Sequence, residues 1–223
     1  MQIAEKIAEI ASELAPYQAR LIAVSKTHPA ESIKEAYDAG QRLFGENKVQ
    51  ELTEKAEQLP KDIEWHLIGH LQRNKVKSIA SFVSLIHSVD SIRLLEEINK
   101  QGEKFQRQIA CLLQMHIANE ETKFGFDQNE LMAALPEIKK MSWVRVVGLM
   151  GMATFTENQD QVRSEFRGLK ILFEEIKKSH CGGNIVMQEL SMGMSGDYKI
   201  ALEEGSTLIR IGTTIFGSRN YHN

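Results

Sequence analysis

The sequence predicts an α/β fold: a single-domain (β/α)8 barrel of the TIM type with an extra N-terminal helix. Eight short strand-like apolar runs, seven helical patterns set between them, and no Pro/Gly/Ser linker or repeat across 223 residues lead there. A chain of this length with 42% hydrophobic residues fills one core and is short for two, so residues 1–223 are expected to form one domain. A doubly wound open sheet is the rival architecture, and the strand count favours the closed barrel.

The opening stretch, MQIAEKIAEIASELA, is acidic throughout with Ile3, Ile7, Ile10 and Leu14 on one face, which predicts an amphipathic helix and not a signal peptide. Leu21 to Val24 reads as a strand buried on both faces because it lacks polar alternation. Pro29 to Ala39 is helical, with Ile33, Ala36 and Tyr37 inward and Gly40 as its stop. Arg42 to Glu46 is a strand and Asn47 to Leu59 a helix, with Val49, Leu52, Ala56 and Leu59 on one face. Strand Glu64 to Gly69, helix Gln72 to Ala80, strand Phe82 to Val89 and helix Ser91 to Lys100, stopped by Gly102, repeat the pattern. Ile109 to Ile117 is a long strand, and Asp127 with Glu130 forms a capping box for a helix that Pro136 bends or ends. Val144 to Met150 is the sixth strand. The longest helix follows, its stripe of Val162, Phe166, Leu169, Phe173 and Ile176 marking core packing. Strand Met187 to Ser191, helix Asp197 to Glu203 and strand Thr207 to Ile211 complete the count, with only a short tail after them. The N-terminal helix is expected to stand in the outer ring where a last helix is missing.

With 27 Lys plus Arg against 30 Asp plus Glu, the net charge of -3 offers no field to gather nucleic acid or an anionic membrane. No apolar run approaches membrane-spanning length. The two cysteines, Cys111 and Cys181, form no paired framework, which points to a reducing cytoplasm.

In parallel barrels the chemistry lies at the carboxyl ends of the strands, which places Lys26, Asn47, His70, Met150, Ser191 and Gly212 around one mouth. Lys26 closes the first apolar strand. Nearby apolar walls would lower its pKa and leave a nucleophilic amine, the alternative being a lysine that reaches out to solvent. The loops after strands seven and eight, SMGMSGD and RIGTTIFG, carry glycines and small hydroxyl residues that let backbone N–H groups and helix starts approach an anion. A lysine and a phosphate cup on one rim suggest an aldehyde phosphate held by both ends. His66 and His70 have helical spacing, but a glycine-containing strand end is not a helix, so no metal site is read.

AVSKTHP, FGENKVQE, WHLIGHLQRNK, GLMGMAT, ELSMGMSGDYKIALEEGST and RIGTTIFG run in that order from about Leu21 to Gly217. Together they resemble the pyridoxal phosphate (PLP) homeostasis protein family, small single-domain relatives of the alanine racemase N-terminal barrel. The resemblance implies that Lys26 forms an imine with the PLP aldehyde and that Ser191, Gly212 and Thr213 hold the phosphate. It implies Arg210 beside the pyridine nitrogen and Asn47, His66 and Met150 along the ring. For His66 a buried strand histidine, and for Met150 plain core, are the alternative readings.

Arg210 is informative because a guanidinium donates no proton at ordinary pH, so the ring nitrogen beside it stays unprotonated and the ring is a weak electron sink. Racemases of this barrel type also use a tyrosine from a C-terminal β-domain of the partner subunit. This sequence ends at Asn223 without such a domain, so an exposed cofactor with one proton-transfer face unserved is expected. The expected function is intracellular PLP homeostasis and supply without strong catalysis, and no catalytic residue is assigned. Expected partners are PLP and PLP-dependent apo-enzymes as recipients, with no nucleic acid or membrane, and a monomeric state. Two other readings stay open: an amino-acid racemase-like PLP enzyme, and a Schiff-base aldolase on a sugar phosphate, whose lysine usually sits on a later strand.

Overall fold

The computed structural model describes residues 3–118 and 124–217. The first two residues of the expected N-terminal helix and the tail beyond Gly217 lie outside them. Eight parallel strands close into a barrel in chain order. They are β1 (Arg20–Val24), β2 (Leu43–Glu46), β3 (Glu64–Leu67), β4 (Leu85–Val89), β5 (Ile109–Gln114), β6 (Val144–Met150), β7 (Ile185–Ser191) and β8 (Leu208–Ile211). β8 returns to β1 with Ile22 opposite Arg210 and Ala23 opposite Ile211, so no open edge remains.

The pleat sorts side chains into two cores. Leu21 and Ala23 join the layer between barrel and helices, while Ile22 joins Leu85, Leu112, Val147, Met150 and Leu208 along the axis. This explains why the strands read as unbroken apolar runs: both faces are covered. The outer ring is α1 (Ile3–Leu14), α2 (Ala30–Asp38), α3 (Val49–Gln58), α4 (Val76–Ile79), α5 (Ile92–Phe105), α6 (Gln128–Ile138), α7 (Gln159–Ser179), α8 (Tyr198–Glu203) and α9 (Thr213–Phe216). α1 buries Ile7, Ile10 and Leu14 and packs against β1, α2 and α9, filling the ring where a long eighth helix would lie. None of the described helices is long and apolar enough to cross a membrane.

Several boundaries differ from the sequence reading. Gly102 does not stop α5, which runs to Phe105 and ends on a left-handed Gln106. A Cβ at Gly102 would lie 2.8 Å from both the Arg107 carbonyl oxygen and the Trp143 side chain, so the glycine serves close packing. β5 ends at Gln114 and not at Ile117: the Met115 N–H still reaches the Met150 carbonyl of β6, but the His116 N–H turns away to the Phe126 carbonyl. β4 starts at Leu85, since Phe82 and Val83 close a turn onto Ile79. The stretch from Gln72 is a 3-10 turn, Arg73–Lys75, leading into the short α4. Pro136 sits in the last turn of α6, which continues to Ile138. Where only a tail was expected after β8, Thr213–Phe216 winds one further turn.

The loops that shape the barrel mouth are tied from outside. Arg163 and Arg167 of α7 pair with Glu203 and Glu204 at the end of α8. The Tyr198 hydroxyl donates to Glu13 of α1 at 2.7 Å, fixing the start of α8.

Candidate functional site

At the carboxyl ends of the strands the barrel opens into a cavity of about 660 Å3. Lys26, Asn47, Arg210, Gly212 and Thr213 line it together, with His70 on its wall. The amine after β1 and the loops after β7 and β8 therefore share one opening. A larger, shallower depression lies on the outer wall between α2 and the end of α3, where Glu31, Lys34, Asp38, Glu57 and Lys61 alternate in charge and do not converge.

Lys26 is held by its neighbours. The buried Ser25 hydroxyl donates to Glu46 Oε1 at 2.6 Å, and the Thr27 N–H donates to Glu51 Oε1 at 2.5 Å from a left-handed backbone with φ of 67°. The Lys55 ammonium joins these groups, 2.7 Å from Glu46 and from Glu51 and 2.8 Å from the Ser25 carbonyl. Burial pushes the Glu46 carboxyl above its ordinary range, against the pull of the Lys55 cation. Glu46 Oε2 has no hydrogen-bond partner among the described residues. This buried network in the wall behind Lys26 fixes the exit of β1, and Lys26 itself is half-buried.

Opposite stand the two small-residue loops. Asp197 closes the first: its carboxylate accepts the Met194 N–H at 2.6 Å, while the N–H groups of Asp197 and Tyr198 return to the Met194 carbonyl at 3.1 and 2.9 Å. Ser195 and Gly196 are left at the tip, lining the cavity, and their N–H groups have no acceptor among the described residues. The Arg210 N–H binds the Gly193 carbonyl at 3.1 Å and stitches the two loops together. A Cβ on Gly212 would come within 2.9 Å of the Val24 carbonyl oxygen, so only glycine lets β8 end this close to the strand that carries Lys26. In α9 the first N–H groups to bond are those of Ile215 and Phe216, leaving Thr213 and Thr214 ahead of the intrahelical ladder. α8 and α9 have 6 and 4 residues, so individual N–H groups, more than helix dipoles, are what this rim offers to an anion.

Ser191, His66 and Met150 lie one layer lower. Ser191, expected at the phosphate, is fully buried. Its hydroxyl accepts from Arg210 Nη1 and lies 3.0 Å from His87 Nδ1. His87 Nε2 lies 3.0 Å from His66 Nδ1, and Arg210 Nη2 donates to the Gly151 carbonyl at 3.2 Å. Met150 packs in the axial core with Ile22, Leu85 and Leu112. The pleat explains all three: side chains on these inward positions point across the barrel beneath the mouth.

Burial pushes His66 down to about 3, the Arg20 charge adding to the effect. His87 is held well below the ordinary histidine range by burial, then by His66 and Arg210. Both rings are neutral at pH 7. Arg210 is pushed down to about 10 by burial, with Asp197 opposing, so it remains a cation.

The sequence reading missed His87, Ser195 and Asp197. His87 stands in the run LIHSV, where strand alternation puts it inward with Leu85. Ser195 lies four residues beyond Ser191 in the same motif, at the loop tip and not the strand end. The rim also carries Phe124, Met152, Phe155 and Met194, all exposed, and His70 Nδ1 lies 3.3 Å from Asp90.

The family model "Alanine racemase, N-terminal domain" matches residues 1–220. A pyridoxal phosphate homeostasis protein of Aquifex aeolicus is 42% identical over 204 residues, covering 91% of this chain and 88% of that protein. The pyridoxal phosphate homeostasis protein of Homo sapiens is 39% identical over 232 residues, covering 99% and 84%. Among solved structures, PipY of Synechococcus elongatus with PLP bound has a TM-score of 0.88 at 39% identity, covering 97% of this chain and 100% of PipY. Alanine racemase from Bartonella henselae, at 16% identity and a TM-score of 0.73, shares the fold over 60% of its own length. By motifs, fold and site, the chain belongs to the pyridoxal phosphate homeostasis protein family.

Proposed function

We propose that this chain binds PLP in the cavity at the barrel mouth, holds it through Lys26, and serves PLP homeostasis by giving it up to PLP-dependent apo-enzymes. The observation that carries this reading is that Lys26 and the Ser195, Gly196, Gly212 and Thr213 segments line one cavity of about 660 Å3. Small-molecule sites span roughly 300 to 1,000 Å3, so a molecule with an aldehyde at one end and a phosphate at the other fits this volume. PipY, alike over nearly its whole length, has been crystallised with PLP bound, which supports the reading.

When bound, PLP supplies an aldehyde. Lys26 would supply the amine that holds this aldehyde through a reversible bond, water being released on attachment and taken up again on release. Ser195, Gly196, Gly212 and Thr213 would hold the phosphate by hydroxyl and N–H donors, Arg210 would serve the ring nitrogen, and Asn47 would line the ring's pocket. Ser191, His66 and Met150 support this floor from below. Arg210 keeps its proton at pH 7 and has none to give, which favours carriage over carbanion chemistry. The reading includes one domain over residues 1–223, a monomer and a cytoplasmic setting. Cys111, buried, and Cys181, exposed, are unpaired, in keeping with a reducing compartment.

The test is Lys26→Ala: the variant folds, loses the visible imine absorbance and retains PLP more weakly, whereas unchanged absorbance would remove Lys26 from the account. A second reading, a racemase-like enzyme, draws on the His70 and Asp90 pair at the cavity wall, an acid/base group within the opening. Incubation with single amino-acid enantiomers separates the two, since steady loss of optical purity would mark the enzyme.

A further inference from the structure

A chain of side chains crosses the barrel interior beneath the cavity, from β8 through β7 and β4 to β3. Arg210 Nη1 donates to Ser191 Oγ, Ser191 Oγ meets His87 Nδ1 at 3.0 Å, and His87 Nε2 meets His66 Nδ1 at 3.0 Å. The two rings sit 5.1 Å apart at 44°. All four residues are buried, and only Arg210 reaches the cavity.

Proton accounting gives the chain a direction. Arg210 has donors only, so Ser191 Oγ accepts from it and has one proton left to place. Passing that proton to His87 Nδ1 leaves His87 with Nε2–H, which donates to His66 Nδ1 and leaves His66 as the Nε2–H form. The reverse polarity would make Ser191 accept twice and strand its own proton in a buried site, at the cost of an unmade hydrogen bond. Both imidazoles are neutral, so of these four linked residues Arg210 alone is a cation.

We infer that His66, His87 and Ser191 form a positioning relay that fixes the Arg210 guanidinium at the cavity floor and so sets its contact with the bound cofactor's ring. This rests on the PLP reading above. His87 is the midpoint: without it the Ser191 hydroxyl loses its acceptor and turns, and one anchor of Arg210 loosens. His66 fixes the tautomer of His87 from the far wall.

The experiment compares PLP-loaded wild type with His87→Leu, His87→Asn and Ser191→Ala. Asparagine places a polar atom near the Nδ1 position and can still serve Ser191; leucine cannot. His87→Leu and Ser191→Ala are expected to keep a borohydride-reducible cofactor on Lys26, to shift the absorbance and circular dichroism of the bound chromophore, and to weaken PLP about 3- to 10-fold, the range of one lost hydrogen bond. His87→Asn is expected to restore the wild-type spectrum. Should His87→Leu fail to fold, Ser191→Ala breaks the same link with a smaller change. Loaded variants with unchanged spectra and Kd would overturn the relay. Nitrogen-15 shifts of the imidazoles in unliganded protein test it apart from the cofactor: Nε2–H on both rings is expected, with His87 perturbed by Ser191→Ala, and Nδ1–H forms would overturn it. Failure of wild type to load PLP while those shifts hold would sink the PLP reading and leave the arginine-fixing relay standing.

Discussion

On the proposed reading, a single residue, Lys26, governs how firmly PLP is retained. Charge-assisted hydrogen bonds contribute about 1.5 to 3 kcal/mol each, so four around a phosphate give roughly 6 to 12 kcal/mol. Immobilising the ligand costs at least about 4 kcal/mol. The remainder falls at or below the roughly 8 kcal/mol of micromolar binding, so on the proposed reading a bond to Lys26 would decide whether PLP stays. Lys26→Ala should therefore weaken PLP at least about tenfold, read by equilibrium dialysis. The fold should survive, because Ser25 and Thr27 on either side are anchored by Glu46 and Glu51.

The relevant element is the wall formed by the end of β1, β2 and the first turns of α3. Lys55 there neutralises a buried carboxylate at 2.7 Å. Removing one partner of a buried pair costs about 3 to 5 kcal/mol, so Lys55→Met should lower stability by that order. The sign with pH follows from Glu46. Its folded pKa is raised by burial, so stability is fullest below the unfolded pKa and is lost as pH rises through the folded one. Without Lys55 the folded value rises further, and the loss should be larger at pH 7 than at pH 5 in urea titrations. An equal loss at both would mean that Glu46 is not the group left exposed to the deficit. At this scale the sequence was legible where periodicity was strong: β6 runs over Val144–Met150 as read, and the stripe of α7 is buried throughout. It was illegible where one residue type serves two ends. Gly102 has the look of a helix stop, yet it stays helical to let Trp143 approach, a contact between α5 and the start of β6 that no local pattern records. His87 and Ser195 were hidden for a related reason, since their roles depend on which wall they face across the barrel.

Over the whole molecule, closure of eight strands makes one site from distant segments. Lys26 and Thr213 stand at opposite ends of the sequence, and the pairing of β1 with β8 makes them neighbours on one rim. Two separate motifs thereby line one cavity: of the residues expected around the mouth, Lys26, Asn47, His70 and Gly212 line it, while Met150 and Ser191 are buried beneath it. The direct measurement is borohydride reduction of the PLP-loaded protein followed by mapping of the labelled peptide. The label is expected on Lys26 alone, in near-stoichiometric yield. A label on another lysine, or none at all despite bound PLP, would contradict the account.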